Sequence, residues 1–230
     1  MVMAKQALPS SPEVPKKWLP ADQRRQSLLD AGWALLVEGG PQAVTIDAVV
    51  AQIGISRPIF YRHFTDRVDL LVALYQTYGE EFLRLQESVL LREGGTIDDL
   101  IHAALVVYFD LVASTGVVVR PLVEAANGDP RMEAARRSVR ERHAVLWRVA
   151  VVRRVAPEVA EALLTDDRVR QMLALTIELV LAMGGEASSL WLSGRVDRAD
   201  AEEMVMVMVD GLTDRVVAHL VRIGVVGATS

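Results

Sequence analysis

Residues 45–64 read TIDAVVAQIGISRPIFYRHF, and this stretch decides the fold of the N-terminal part of the chain. Thr45 is a good helix N-cap, and Gly54 can adopt the positive φ that ends a helix abruptly. Between them, apolar side chains recur at helical spacing at Ile46, Val49, Val50 and Ile53. The stretch therefore begins with a short helix that stops at a glycine turn.

A second short helix is expected after this turn. Ser56 is its expected N-cap, and Pro58 falls in the first turn, where a missing backbone N–H costs nothing. The apolar anchors are Ile59, Phe60 and Phe64, and the hydrogen-bond donors are Arg57, Tyr61, Arg62 and His63. This order predicts a helix-turn-helix with a polar recognition helix that enters the major groove of DNA. The alternative is a pair of amphipathic helices that simply belong to an all-α core.

Over about residues 24–74 the chain resembles the tetracycline-repressor (TetR) family of bacterial transcription regulators. The matching parts are an apolar first helix at 28–36, the loop Glu38-Gly39-Gly40, the cap Thr45, the segment Tyr61-Arg62-His63-Phe64 and the segment Arg67-Val68-Asp69-Leu70-Leu71. The chain departs from the family at Val50 and Ile53, where alanine is usual, at Pro58, where glycine is common, and at Arg67, where lysine is usual. Arginine keeps the phosphate-binding charge of lysine and adds a planar fork.

We predict eight DNA-contacting residues. Thr45, Ser56, Tyr61 and Arg67 are expected to hold phosphates, Arg57, Arg62 and His63 to lie near base edges, and Pro58 to lie beside them on the same helix. Tyr61 and His63 are equally well explained as packing and orienting groups. Ser56, Arg57 and Arg62, by contrast, have little structural reason to stand where they do.

Composition favours a globular, all-α protein that is not an enzyme. Of the 230 residues 51% are hydrophobic and only 5% aromatic, and the valine-rich runs are embedded in helical patterns. The chain has no cysteine, which agrees with a cytoplasmic location, and its sequence carries no catalytic motif, so we expect no cofactor and no metal. Residues 1–67 carry a net charge of +2 and the remainder −7, a distribution that suits DNA contact through one end.

Three regions are expected: a flexible tail at 1–20, a helix-turn-helix domain at 21–67 and a helical effector-binding and dimerisation domain at 68–230. The tail is rich in proline and lacks the apolar core of a signal peptide; its Lys16-Lys17-Trp18 is either a DNA-reaching arm or a solvated leader. Residues 171–192 are apolar enough to suggest a membrane span. Glu178 and Glu186 argue against the span, and a helix buried on two sides within protein explains the pattern.

The spacing of apolar residues and caps predicts further helices in the C-terminal region. They are expected at about 68–91, 97–114, 121–126, 131–155, 167–193 and 200–223. The last two are too apolar to stand alone, and two copies of the pair would form a symmetric bundle suited to a palindromic operator. The TetR resemblance also implies that these two helices form the homodimer interface.

The inward faces of this region suggest walls for a small-molecule pocket. The candidates are His102, Phe109, Trp147, Met172, Leu175 and Met183. Most are aliphatic or aromatic, so a largely hydrophobic effector is expected, although each of them also suits ordinary core packing. The sequence thus predicts a homodimeric repressor, released from double-stranded DNA by such an effector and without a membrane association. The alternative is a helical protein-interaction module with a vestigial head.

Overall fold

The computed structural model describes residues 20–115 and 118–222, without the side chains of Thr213 and Val217. The expected tail, including Lys16-Lys17-Trp18, lies outside the described residues except for Pro20. The chain divides into two compact units, residues 1–71 and 72–230. The sequence placed this division after residue 67.

The protein is all-α, as the sequence predicts, and the described ranges contain eleven helices and no strand. In chain order they are α1 (Ala21–Ala43), α2 (Ile46–Ile53), α3 (Arg57–Phe60), α4 (Arg67–Leu90), α5 (Ile97–Thr115), α6 (Val119–Ala125), α7 (Pro130–Val152), α8 (Pro157–Thr165), α9 (Asp167–Leu192), α10 (Arg198–Val209) and α11 (Leu212–Arg222).

The N-terminal unit is a small helical head closed by aromatic packing. Gly40, with φ of 71°, kinks α1 just before Pro41, so the expected glycine loop is a bend near the end of a longer helix. Phe60 and Phe64 are buried, with ring centroids 5.6 Å apart, and each contributes roughly 1.5–3 kcal/mol by leaving water. They share this core with Leu28, Leu29, Leu36, Val44, Val49 and Val50.

Local caps set the helix boundaries that the sequence predicted best. The Asp66 carboxylate accepts the Asp69 backbone N–H at 2.8 Å at the start of α4. At the start of α5, Thr96 and Asp99 exchange hydrogen bonds as a capping box, with Asp99 Oδ2 accepting from the Thr96 N–H at 2.7 Å. The predicted starts and ends of these two helices are therefore confirmed to within one residue.

The C-terminal unit has one large apolar core. Helix α9 packs against α5, α7, α8 and α10. Phe109 and Ala150 are fully enclosed in this core, and Trp147 is 8% exposed. Most of the inner face predicted for α7 is confirmed, since Met132, Ala135, His143, Trp147 and Ala150 are all buried.

The end of the chain differs from the prediction of one long helix at 200–223. It is broken into α10 and α11 at Asp210 and Gly211, where Gly211 has φ of 65°. A glycine in the left-handed region ends α10, although the apolar pattern of the sequence continues across the break. The N-cap of α10 is Asp197, whose carboxylate accepts from the Asp200 N–H, so this helix begins two residues before the predicted position 200.

Helix α9 is less enclosed than the sequence suggested. By length and composition it is the one helix in the described ranges that could cross a membrane, and only 17% of its apolar window is buried within the chain. A single chain therefore leaves most of this helix uncovered, and its burial on two sides within protein stays a prediction. Its carboxylates pair with arginines of neighbouring helices, Glu178 with Arg140 at 3.6 Å and Glu186 with Arg120 at 3.5 Å.

Candidate functional site

Thr45 and Arg67 lie together at the N-terminus of α2. The Thr45 hydroxyl accepts the Ala48 backbone N–H at 3.1 Å, which confirms it as the N-cap. Arg67 donates from Nε to the Val44 carbonyl at 2.7 Å and from Nη2 to the Pro41 carbonyl at 2.5 Å. Its guanidinium thus donates to two carbonyls at the end of α1. This structural role is separate from the predicted phosphate contact.

Arg57, predicted to be a free base reader, is paired. Its guanidinium forms a two-point ion pair with Asp47 in the first turn of α2, with Nε–Oδ1 at 2.6 Å and Nη2–Oδ2 at 2.5 Å. Both side chains are more than half exposed, and the hydrogen bond from Arg57 lowers the pKa of Asp47. The view that Arg57 has little structural reason for its position is therefore wrong. The two residues are ten positions apart, so local sequence patterns do not reveal the pair.

The recognition segment is a single helical turn followed by a tighter turn. Ser56 has the extended backbone of an N-cap, but its side chain makes no capping hydrogen bond, so its hydroxyl is not used by α3. Pro58, Tyr61 and Arg62 are exposed, Tyr61 by 52%. These positions are open to a ligand outside the protein.

His63 is half-buried at the end of this segment. Burial, followed by the nearby charges of Arg24, Arg25 and Arg62, lowers the pKa of His63. A neutral imidazole both donates and accepts hydrogen bonds, so His63 suits an orienting role as well as base contact. Arg25 lies 5.1 Å above the Phe64 ring and thus stands on the aromatic core of the head.

The C-terminal unit contains an apolar cavity of about 100 Å³. Its described lining comes from α4, α5, α7, α8, α9 and α11 and from the turns beside them, and includes none of the charged residue types Asp, Glu, Lys and Arg. His143 lines it with 2% of its surface exposed, and this burial lowers the pKa of His143 to about 4. Neither His143 nor Gln86, which also lines the cavity, was among the predicted pocket residues. A polar residue within the apolar face of α7 or α4 was the feature of the sequence that could have indicated a cavity at these positions.

Only two of the six predicted pocket residues, Trp147 and Met172, line this cavity. His102 lies at the surface and pairs with Asp210 at 2.6 Å. Phe109 is sealed in the core, with its ring centroid 6.3 Å from that of Trp191, and Leu175 is 56% exposed. Helical periodicity separates inward from outward faces, and it does not separate a cavity wall from a filled core.

A second recess of about 510 Å³ opens beside the first and shares Tyr108, His143, Ile177 and Leu181 with it. Its wall is more polar, with charged residues Arg137, Arg140, Glu141 and Glu178. Met183 lines neither space.

The helix-turn-helix geometry agrees with a match to a known family. The family model described as "Bacterial regulatory proteins, tetR family" covers residues 28–74, which include α2, α3 and the start of α4. Over these residues the chain is similar to the tetR family of bacterial regulatory proteins.

Curated relatives match this chain over part of their length. It is 29% identical over 94 residues to the HTH-type transcriptional activator FasR of Mycolicibacterium smegmatis, which covers 41% of this chain and 42% of FasR. It is 31% identical over 88 residues to the transcriptional regulator AcuR of Cereibacter sphaeroides, covering 36% of this chain and 40% of AcuR. The matches thus span about two fifths of the length of these relatives.

Solved structures extend the likeness in fold over most of the chain. A tetR-family transcriptional regulator from Streptomyces coelicolor has a TM-score of 0.66 and 22% identity, covering 87% of this chain and 85% of that one. A putative transcriptional regulator from Pseudomonas aeruginosa PAO1 has a TM-score of 0.66 and 18% identity, covering 87% and 95%. At these identities the likeness establishes the fold alone.

Proposed function

We propose that this protein is a homodimeric transcription regulator that binds a palindromic DNA operator and responds to a small hydrophobic molecule. The observation that carries the proposal is the exposed polar face of the helix-turn-helix. On it Thr45, Arg57, Tyr61 and Arg62 stand around a turn fixed by the left-handed Gly54. The family match over residues 28–74 supports the same function.

Selection of bound sequences from random duplexes by the purified full chain tests DNA binding. We expect an enriched palindrome whose half-site centres are about 34–36 Å, or one helical turn, apart, or a multiple of this distance. Recovery of no enriched palindrome would favour the alternative, a protein-interaction module with a vestigial head.

Binding of the Arg62→Ala variant to the selected operator tests the role of the recognition segment. The exposed Arg62 side chain is placed to contact a base edge, so its loss should cost about 1–3 kcal/mol and relax sequence preference at one position of each half-site. The matched control is Arg153→Ala, an exposed arginine in the turn after α7, which should leave operator affinity unchanged. Equal affinities for the two variants would remove Arg62 from the base contacts.

Exposed apolar side chains on α9 and α10 support the homodimer. They are Leu175 and Leu179 on α9 and Met204, Val207 and Met208 on α10, each between 56% and 60% exposed. Burying such a patch against a second copy would also cover α9, whose length and composition resemble a membrane span. Within the predicted helix at 200–223, Leu212, Val216 and Leu220 line the cavity, so we place the pairing surface on α9 and α10.

We propose repression as the effect on transcription, with the protein acting on DNA in the cytoplasm. A dimer bound across a promoter blocks the polymerase, and an effector releases it by binding more tightly to the state that does not fit the operator. A reporter with the selected operator across its promoter should lose expression when the protein is present. Increased expression would assign activation, the role named for FasR.

A further inference from the structure

Charge is missing from the apolar cavity of the C-terminal unit. Among the 22 described residues that line it there is no Asp, Glu, Lys or Arg, and the one titratable imidazole, that of His143, is buried. An ion that entered this space would lose its hydration without gaining a counter-charge, which is costly. The lining therefore selects uncharged molecules.

The protonated nitrogen of His143 can be assigned from its neighbour. The Trp147 indole N–H, which can only donate, points at His143 Nε2 at 3.1 Å, so Nε2 is an acceptor. Burial keeps the ring neutral at neutral pH, since the pKa of His143 is about 4. A neutral ring that accepts at Nε2 carries its proton at Nδ1, so Nδ1–H is a donor.

Most other polar groups of the lining are already occupied. The Thr176 hydroxyl donates to the Met172 carbonyl at 2.9 Å, Gln86 Nε2 donates to the Ala104 carbonyl at 2.9 Å, and the Tyr108 hydroxyl pairs with Ser188. His143 Nδ1 and Gln86 Oε1 have no hydrogen-bond partner among the described residues. Every fully enclosed side-chain nitrogen or oxygen in the described residues does have a partner, so neither of these two atoms is fully enclosed by protein. Both belong to residues that line the apolar cavity, and His143 also borders the more polar second recess.

We propose that this cavity binds an uncharged, mainly hydrophobic molecule whose hydrogen-bond acceptor, such as a carbonyl oxygen, receives the Nδ1–H of His143. The apolar wall supplies most of the binding free energy, and the histidine supplies orientation and selection. Gln86 Oε1 offers an acceptor for a hydroxyl or amide group of the same molecule. Binding of this ligand does not depend on the proposed regulator function. Only an effect of the ligand on DNA binding rests on that function.

Three probes of similar shape separate the polar contact from simple burial. A cavity of about 100 Å³ is of the order that holds a single ring, so the probes are acetophenone, isopropylbenzene and benzoate. Calorimetry at pH 7.5 on the full chain should show acetophenone binding at least about 100-fold more tightly than benzoate. Benzoate binding as tightly as acetophenone would overturn the proposal, as would failure of every probe to bind.

The contribution of His143 is measured by a change in preference. In His143→Phe the ratio of acetophenone to isopropylbenzene affinity should fall about tenfold relative to the wild type, because only the ketone loses a donor. The matched control is His102→Phe, which changes a surface histidine outside the cavity and should leave the ratio unchanged. An unchanged ratio in His143→Phe would overturn the proposal.

A wild-type measurement covers the case in which His143→Phe fails to fold. The infrared carbonyl stretch of bound acetophenone should move to lower wavenumber than in a hydrocarbon solvent, and a stretch unchanged from that solvent would overturn the proposal. None of these measurements involves DNA. A ligand that binds as expected but leaves operator affinity unchanged at saturation would refute the proposed response and leave the cavity assignment intact.

Discussion

The exposed ion pair of Asp47 with Arg57 joins the first turns of α2 and α3 before any DNA is present. The carboxylate neutralises an arginine that is placed to meet DNA, and it would itself face phosphates. Asp47→Asn should therefore bind unrelated duplex DNA more tightly and steepen the dependence of log affinity on log salt by about one unit. Fluorescence anisotropy over a salt series measures both.

Glu38→Gln is the control for this variant, because it removes the same charge from an exposed position near the end of α1. If both variants change affinity and salt dependence equally, only net charge matters. In that case the Arg57 pairing has no part in DNA contact.

The buried His143 should make the stability of the protein depend on pH. Its folded pKa of about 4 lies below the ordinary value because of burial, so the unfolded chain binds the extra proton first as the pH falls. The free energy of unfolding should decrease between about pH 6.5 and pH 4, in total by about 3 kcal/mol from this group. His143→Gln should flatten that part of the profile in urea titrations, and a profile of unchanged slope would contradict the assignment.

Single residues show which parts of the site are readable from sequence. Thr45 as an N-cap and Gly54 as a left-handed helix end act within their own turns, so these two local roles follow from residue type and position, and both are confirmed. The partner of Arg57 and the carbonyls that occupy Arg67 lie ten or more residues away. Such pairings depend on how helices pack, which a single sequence does not specify.

At the scale of helices, Arg67 at the start of α4 ties down the bend between α1 and α2. Arg67→Ala removes donors from the Pro41 and Val44 carbonyls and should lower the free energy of unfolding by about 1–3 kcal/mol. Arg67→Lys keeps the charge but not the two-donor fork, so its stability should lie between alanine and wild type. Thermal unfolding separates these effects from DNA affinity.

Comparison of these variants on DNA isolates the phosphate contact predicted for Arg67. If Arg67→Lys binds DNA as the wild type does while being less stable, the positive charge at residue 67 is sufficient for the DNA contact. If both variants bind normally under conditions where both are folded, the predicted phosphate contact is wrong.

Helix ends were predictable where a capping residue marks them and unpredictable where apolar patterning continues across a break. Thr96 and Asp66 mark the starts of α5 and α4 in the sequence itself. The division between α10 and α11 depends on Gly211 taking a left-handed conformation, in a run whose pattern suits one continuous helix. Helix α8 was not anticipated, although Pro157 stands in its first turn.

For the whole molecule, the exposed apolar face of α9 and α10 determines the expected assembly. Leu179→Glu should weaken the dimer on the order of 100-fold, because a carboxylate would be buried without a partner, and operator binding should be lost with it. Light scattering measures the mass. Val145→Glu is the control, since Val145 is 47% exposed on α7. A Leu179→Glu protein that stays dimeric would place the interface elsewhere.

The break at Gly211 between α10 and α11 also separates the helix that lines the cavity from the helices that carry the proposed pairing surface. Leu212, Val216 and Leu220, which close part of the cavity, belong to an eleven-residue helix joined to α10 only through Asp210 and Gly211. A helix of this length has little stability by itself and takes its position from what it packs against. Substitutions at these three positions can enlarge or reduce the cavity without altering the exposed faces of α9 and α10. The shape of the cavity can thus change while the proposed pairing surface stays the same.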